Sequence, residues 1–248
     1  MLHNLLYALL PARLGSTRFP EKMLADLAGK PLIVRSCEAV VKTGLFHGVM
    51  VVTDHLRIRD AVKTHGYEAV MSREDHPSGS DRIAEIAKNL PAGAIIVNVQ
   101  GDEPFTQKAP LEALIEAFTD PAVQVASLMT ALTSAEALAN PNVVKVALNA
   151  KNDALYFSRA PLPYDRDSQG EDLVNGQHFQ HIGIYAYRRE ALLHFTGLPP
   201  CELELTEKLE QLRLLYNGIP VRMVKTDARF IGVDTEEDLE GARQYFER

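Results

Sequence analysis

Short apolar runs of strand length, each followed by a polar loop and then a helical pattern, set the narrowest limit on how this chain can fold. The first run is "LLYALL" (Leu5–Leu10). Residues 32–43 then read as a helix, with Pro31 at its first turn and Gly44 after its end. The β-branched "GVMVVTD" (Gly48–Asp54) is a second strand, residues 56–65 a helix stopped by Gly66, and "YEAVM" (Tyr67–Met71) a third strand. Ser80 is read as the cap of a helix running to about Asn89. "AIIVNVQGDEP" (Ala94–Pro104) is a strand that runs into a polar loop, a helix follows Pro110, and a further strand lies near Val123–Thr130. Such alternation implies an α/β fold, a mostly parallel sheet with helices on both faces.

The second half is less regular. "NVVKVALN" and "DALYFSRAPLP" alternate like paired antiparallel strands around the turn "NAKND", and residues 160–178 read as a long loop. "QHIGIYAYR" (Gln180–Arg188) returns as a strand. Thr206–Tyr216 is read as one helix with Leu205, Leu209, Leu212 and Tyr216 on a shared face, stopped by Gly218. "PVRMVKT" is another strand. The last helix begins at "GVDTEED", with Thr235 as cap and Asp238 at the third helical position, a looser capping box. Of the 248 residues 46% are hydrophobic, enough for a sizeable core, and no linker or repeat divides the chain. It is expected to form one domain over 1–248.

Charge and cysteine content exclude several classes. A net charge of −7 argues against a general nucleic-acid binder. Cys37 and Cys201 form no disulfide framework and no metal-ligand spacing, so they read as reduced thiols. No apolar stretch approaches the roughly 20 residues of a membrane span. The first apolar run ends in charge, without a signal peptide's basic flank and cleavage site. The expectation is a cytoplasmic protein with no membrane insertion.

Ligands of parallel α/β sheets bind beyond the carboxyl ends of the strands. The strand-following loops are therefore the places to look. "PARLGSTRFPEK", after the first strand, places Gly15, Ser16 and Thr17 where a phosphate-binding turn wants small residues, with Arg13, Arg18 and Lys22 as cations. It is neither a Walker A loop nor GxGxxG. "QGDEP" (Gln100–Pro104) brings the adjacent carboxylates Asp102 and Glu103 to a strand end, and "GVDTEED" offers Asp234 at a second one. Mg²⁺ is commonly held by one or two carboxylates plus substrate phosphates, so Asp102 and Asp234 make a plausible Mg-nucleotide pair. "HPSGSDR" (His76–Arg82) supplies the hydroxyls of Ser78 and Ser80, while Gly79 lets backbone approach a flat base and Arg82 reads as surface charge. Arg159 suits a carboxylate by bidentate pairing. Glu207, Glu210 and Gln211 fall beside the apolar stripe of their helix, where solvated surface is the ordinary expectation, and His181, in an apolar strand, is ordinarily a core histidine.

"PARLGSTRFPEK", "VVTDH", "HPSGSDR", "VNVQGDEP", "ALYFSRAPLP", "HIGIYAYR", "EKLEQLRLL" and "GVDTEEDL" occur in this order across nearly the whole chain. Together they closely resemble the 3-deoxy-manno-octulosonate (KDO) cytidylyltransferase family. The resemblance implies a Rossmann-like, three-layer nucleotidyltransferase fold with a smaller antiparallel portion, inserted at roughly 127–190, for sugar binding and dimerisation. It implies a homodimer that transfers CMP from CTP to KDO with Mg²⁺ for lipopolysaccharide synthesis. Arg13, Ser16, Arg18 and Lys22 match the family's CTP-phosphate loop, and Ser78, Gly79 and Ser80 its cytidine turn, where Thr is commoner than Ser at the third position. Asp102 and Asp234 match its magnesium ligands. Gln100, Arg159, His181, Tyr185, Glu210 and Gln211 fall in its sugar-binding segments. By the same resemblance Arg13, Lys22, Asp102 and Asp234 carry catalysis. Other acceptors of the same chemistry, 8-amino-KDO or a sialic acid, stay open, as does a catalytically silent nucleotide-binding protein.

Overall fold

A strand buried on both faces needs apolar residues at odd and even positions alike, and the first strand has them. In the computed structural model, which describes residues 5–15, 19–166, 177–228 and 230–246, strand β1 (Leu6–Ala12) turns Ala8 and Leu10 to one face of the sheet and Leu9 to the other. It runs two residues further than its apolar stretch, because Pro11 and Ala12 keep pairing with the neighbouring strand. After it come a 3₁₀ turn at Lys22–Leu24 and a small hairpin, β2 (Asp26–Leu27) and β3 (Lys30–Pro31). The chain continues through α1 (Leu32–Lys42), β4 (Gly48–Thr53), α2 (Leu56–Thr64), β5 (Glu68–Met71), α3 (Gly79–Ala87), β6 (Ile95–Asn98) and α4 (Lys108–Glu116). The second half holds β7 (Val125–Ala131), α5 (Ala135–Ala139), β8 (Lys145–Leu148), β9 (Ala154–Ser158), β10 (Phe179–Arg188), α6 (Arg189–Gly197), α7 (Glu202–Glu207), α8 (Leu212–Tyr216), β11 (Val221–Lys225) and α9 (Glu236–Phe246).

The sheet order is β11-β7-β10-β6-β1-β4-β5. β1 lies parallel between β4 and β6, while β10 runs antiparallel between β6 and β7. The antiparallel β8–β9 hairpin joins at β10. One face of the sheet packs on α1, α2 and α4 through Val34, Cys37, Ile58, Val62, Leu111 and Leu114. The other packs on α3, α6 and α8 through Ile83, Ala87, Leu192, Phe195 and Leu212. α9 is held against the hairpin by a third apolar cluster that includes Leu27, Leu32, Val233 and Leu239. Part of the long loop read at 160–178 (167–176) lies outside the described residues.

Two local expectations are corrected. The cap of α3 is Ser78, not Ser80: Ser78 has extended backbone and its Oγ accepts the Asp81 N–H at 3.1 Å, which places Ser80 inside the first turn, buried. The single helix read at Thr206–Tyr216 is two, because Lys208 takes the left-handed conformation (φ 54°) and ends α7. Leu209 and Leu212 are buried as expected, but Leu205 and Tyr216 are exposed. The physical reason lies in the carboxylates either side of the break. Glu207 reaches Ser158 and Glu210 reaches Ser78 and Ser80 from either side of it, and the break is closed by the Lys208 and Leu209 N–H groups, which both donate to the Glu204 carbonyl.

Candidate active site

The carboxyl ends of β1 and β6 and the amino end of α3 enclose a cavity of about 350 Å³. Glycine makes the approach of these elements possible. A Cβ on Gly101 would lie 2.9 Å from the Pro11 carbonyl and 2.9 Å from Ile33 Cδ1. A Cβ on Gly79 would meet the Pro11 ring at 3.2 Å. A side chain at Gly101 would force the "QGDEP" loop away from the end of β1, while one at Gly79 would press on the Pro11 ring by a few tenths of an ångström.

Lys22 is buried at the base of the cavity and donates to Asp102 Oδ2 at 2.6 Å and Asp234 Oδ1 at 2.9 Å. Burial opposes its charge, but the two carboxylates outweigh that effect and raise its pKa above the usual lysine value. The carboxylates come from elements far apart in sequence, joined by the Val233 N–H, which donates to the Asp102 carbonyl at 3.0 Å. Helix capping does not require the Asp234 side chain. Thr235 Oγ1 accepts the Asp238 N–H, and the Asp238 carboxylate accepts the backbone N–H groups of Asp234 and Thr235. Two carboxylate oxygens within 2.9 Å of one cationic nitrogen form a place built to hold positive charge, and this donor set fits Mg²⁺ bound by two carboxylates. No cluster of three or more His, Cys, Asp or Glu suited to a metal occurs among the described residues.

Glu103 is the neighbour that sequence reading left without a role. Burial first, then the charges of Asp102 and Asp234, push its carboxyl up to about 8. Its Oε2 is buried with no hydrogen-bond partner among the described residues. Arg82 is corrected from surface charge to a buried strut, donating to Asp54 and Ser72 at 2.7 Å each and to the Arg73 carbonyl. It lines the cavity, as does His76, whose ring nitrogen meets Glu85. Nothing in "HPSGSDR" distinguishes them, because their partners Asp54, Ser72, Arg73 and Glu85 all lie outside it.

Behind the α3 turn, Glu210 accepts from Ser78 Oγ at 2.7 Å and from Ser80 Oγ at 2.9 Å. Ser78 Oγ also lies 2.7 Å from Asp81 Oδ2. Burial raises the Glu210 pKa above the ordinary carboxylate value, against the opposing pull of the two serine hydroxyls.

Of the residues singled out from the sequence, Arg13, Lys22, Ser78, Gly79, Gln100, Asp102 and Asp234 line the one cavity, with Ser80 and Glu210 directly behind Ser78. Ser16 and Arg18 lie outside the described residues. Gln100 donates to the Gly183 carbonyl at 3.4 Å. Arg159, His181, Tyr185 and Gln211 do not line this cavity. The Arg159 guanidinium donates to the carbonyls of Glu207 (2.8 Å) and Pro141 (2.9 Å), and its backbone N–H to the Glu207 carboxylate. The buried Lys145 holds the Arg159 carbonyl. His181 is buried, its Nε2 2.9 Å from Ser127 Oγ and its ring against Phe157 and Tyr185. Burial pushes its pKa down to about 3, so it is neutral. Gln211 is buried at the head of α8.

A polar cavity of about 350 Å³ at the strand ends of a parallel sheet, with two carboxylates gathered on one cation, is the arrangement of a nucleotide-handling α/β protein. A family model described as "Cytidylyltransferase" matches residues 7–226. The chain is 50% identical over 239 residues to the 3-deoxy-manno-octulosonate cytidylyltransferase of Flavobacterium johnsoniae, covering 95% of this chain and 96% of the relative. It is 45% identical over 244 residues to the protein of the same name from Trichlorobacter lovleyi, covering 96% of each. Among solved structures, a CMP:2-keto-3-deoxy-manno-octonic acid synthetase complexed with CTP superposes with a TM-score of 0.91 at 41% identity, over 98% of this chain and 99% of that one. A 4-diphosphocytidyl-2C-methyl-D-erythritol synthase from Anaerococcus prevotii shares the fold, with a TM-score of 0.63 at 12% identity over 99% of each chain. The chain belongs to the cytidylyltransferase family, and its curated relatives place it with the 3-deoxy-manno-octulosonate cytidylyltransferases.

Proposed function

We infer that this protein transfers the CMP unit of CTP to the anomeric hydroxyl of KDO, forming CMP-KDO and releasing pyrophosphate. The observation that carries the reading is Lys22 drawing Asp102 and Asp234 together at the base of the strand-end cavity, in a chain 50% identical to a relative named for this reaction. The anomeric oxygen forms its bond to the α-phosphorus as the bond from that phosphorus to the pyrophosphate oxygen breaks in line. Arg13 and Lys22 face the triphosphate and stabilise charge growing on it, with Ser16 and Arg18 of the same loop. The turn at Ser78, Gly79 and Ser80 takes the cytidine. Gln100, Arg159, His181, Tyr185, Glu210 and Gln211 form the acceptor side. Asp102 and Asp234 would hold Mg²⁺, which when bound neutralises phosphate charge and sharpens the electrophilic phosphorus. The reading extends to a cytoplasmic homodimer that serves lipopolysaccharide synthesis.

The test is to incubate the protein with CTP, Mg²⁺ and, in turn, KDO, 8-amino-KDO and a sialic acid, following pyrophosphate. Release with KDO at the highest kcat/KM is expected. Release only with another sugar acid would reassign the acceptor. Tight CTP binding without pyrophosphate from any acceptor would remove the enzyme reading.

A further inference from the structure

The two carboxylates on Lys22 ride on segments far apart in sequence that lie along one another. The Val233 N–H donates to the Asp102 carbonyl at 3.0 Å. A Cβ on Gly232 would lie 3.2 Å from Glu103 Oε1, so the backbone leading to Asp234 passes against the Glu103 carboxyl. Phe105 packs on the apolar cluster that holds Leu239 and Ala242 of α9. At the far end of α9 two more rings close on Phe105. Tyr245 meets it edge-on, with centroids 4.6 Å apart and planes at 65°, and Phe246 lies 5.3 Å away at 34°. The Arg35 guanidinium of α1 stands 4.7 Å over the Phe246 ring, and its Nε donates to the Leu27 carbonyl at 2.9 Å.

These end rings do not belong to the core: Tyr245 is 57% exposed and Phe246 38%. Nor do they anchor α9 as a whole. Leu239 and Ala242 are buried with Leu27 and Leu32, and the Arg243 guanidinium donates to the Asp26 carbonyl at 2.9 Å, which binds the helix to the β2–β3 hairpin. What the rings add is a hold between α9 and the segment that carries Asp102. Such a hold has a purpose at this place. Asp102 and Asp234 are like charges sharing the Lys22 ammonium, and they repel more strongly whenever Lys22 turns toward a phosphate. Ring contacts between Phe105 and α9 carry no net charge and keep their strength in either state.

We propose that the clasp of Phe105, Tyr245 and Phe246 fixes the spacing of the Asp102–Asp234 pair, which makes Tyr245 and Phe246 positioning residues at the opposite end of α9 from the carboxylate they place. The role in turnover rests on the pair serving the transfer inferred above. The spacing itself rests on the contacts alone.

Tyr245→Ala opens the clasp, Tyr245→Phe keeps the ring, and Tyr216→Ala removes an exposed tyrosine from the end of α8 as a control. Amide hydrogen exchange is read at Val233, bonded to the Asp102 carbonyl, and at Leu239, bonded within α9 to the Thr235 carbonyl. In Tyr245→Ala the Val233 amide should exchange about tenfold faster or more while Leu239 keeps its wild-type rate. The Mg²⁺ concentration for half-maximal pyrophosphate release should rise about tenfold. Tyr245→Phe and Tyr216→Ala should match wild type in both readouts. Unchanged exchange at Val233 would overturn the proposal. So would equal acceleration at Val233 and Leu239, which would mean that α9 merely frays, or a failure of Tyr245→Phe to restore protection. Faster Val233 exchange at an unchanged Mg²⁺ requirement would uphold the clasp and overturn the assignment of Mg²⁺ to the pair. If Tyr245→Ala does not fold, Phe246→Ala removes the other ring and is read the same way.

Discussion

Gly101→Ala is a perturbation of one methyl group, and the structure sets both its cost and its target. The added Cβ would sit 2.9 Å from the Pro11 carbonyl oxygen and 2.9 Å from Ile33 Cδ1, about half an ångström inside ordinary contact. Ile33 is fully buried in α1 and has little freedom to turn away. The Pro11 carbonyl belongs to β1, whose position is fixed by the pairing of Pro11 with Val52. What must give is the loop that carries Asp102, one residue on. Overpacking of this kind destabilises by about 1–3 kcal/mol. For a domain of this length that lowers Tm by roughly 2–12 °C. The activity loss should exceed the stability loss, because Asp102 shifts against Lys22 and Asp234 and small misplacements of reacting groups cost on the order of 10²-fold. Tm by calorimetry and pyrophosphate release below the transition measure both. Gly241→Ala is the control: it lies within α9 with nothing within 4 Å of its Cβ, so the same substitution should raise stability by about 0.5–1 kcal/mol at full activity. A Gly101→Ala protein with wild-type Tm and rate would refute the claim that this glycine places the carboxylate.

Lys22→Met should lower kcat/KM about 10²-fold or more with the fold retained, and a near-wild-type rate would remove Lys22 from the mechanism. His181 gives a pH signature. Its folded pKa of about 3 lies below the unfolded value of 6.5, so below pH 6.5 the unfolded chain gains a proton that the fold refuses. The contribution is complete above pH 6.5 and is lost as pH falls toward 3, about 2 kcal/mol by pH 5. His181→Gln should show correspondingly less loss of Tm between pH 7.5 and 5, and parallel losses in both proteins would contradict a neutral buried ring. Glu207→Gln weakens the hold on Ser158 Oγ and the Arg159 N–H. KM for the sugar acid should rise several-fold with KM for CTP unchanged, and equal shifts in both would place Glu207 outside the acceptor side.

The parallel half was legible because its strands are buried on both faces, leaving continuous apolar runs such as Leu5–Leu10 separated by glycine-stopped helices. Boundaries failed where tertiary contacts outweighed local pattern. The periodicity of Leu205, Leu209, Leu212 and Tyr216 is consistent with one helix, but Lys208 turns left-handed, and Glu207 and Glu210 on either side of it hold Ser158 and the serines of the α3 turn. Ser78 and Ser80 are equivalent as caps on sequence, and the close seating of Gly79 on Pro11 goes with the cap at Ser78. At the site, Asp102 and Asp234 could be singled out because each follows a strand. That one lysine would gather both could not be read from carboxylates 80 and 212 positions away from it. The buried partners of Arg82 depend on packing between elements, which no single segment encodes.

The hydrogen bonds that fasten Ser78 and Ser80 to Glu210 bear on how this protein could be altered by design or by descent. Glu210 lies between α7 and α8, in the set proposed for the acceptor, yet its carboxyl is fastened to the hydroxyls of the turn proposed to take cytidine. The acceptor half is therefore not a detachable cassette. A transplant of residues 202–216 from a relative with a different sugar preference would retune the nucleotide turn in the same stroke, and a graft that keeps its acceptor but loses its preference for cytidine is the failure to look for. Lineages that changed sugar would have had to revise the two serines and the glutamate together.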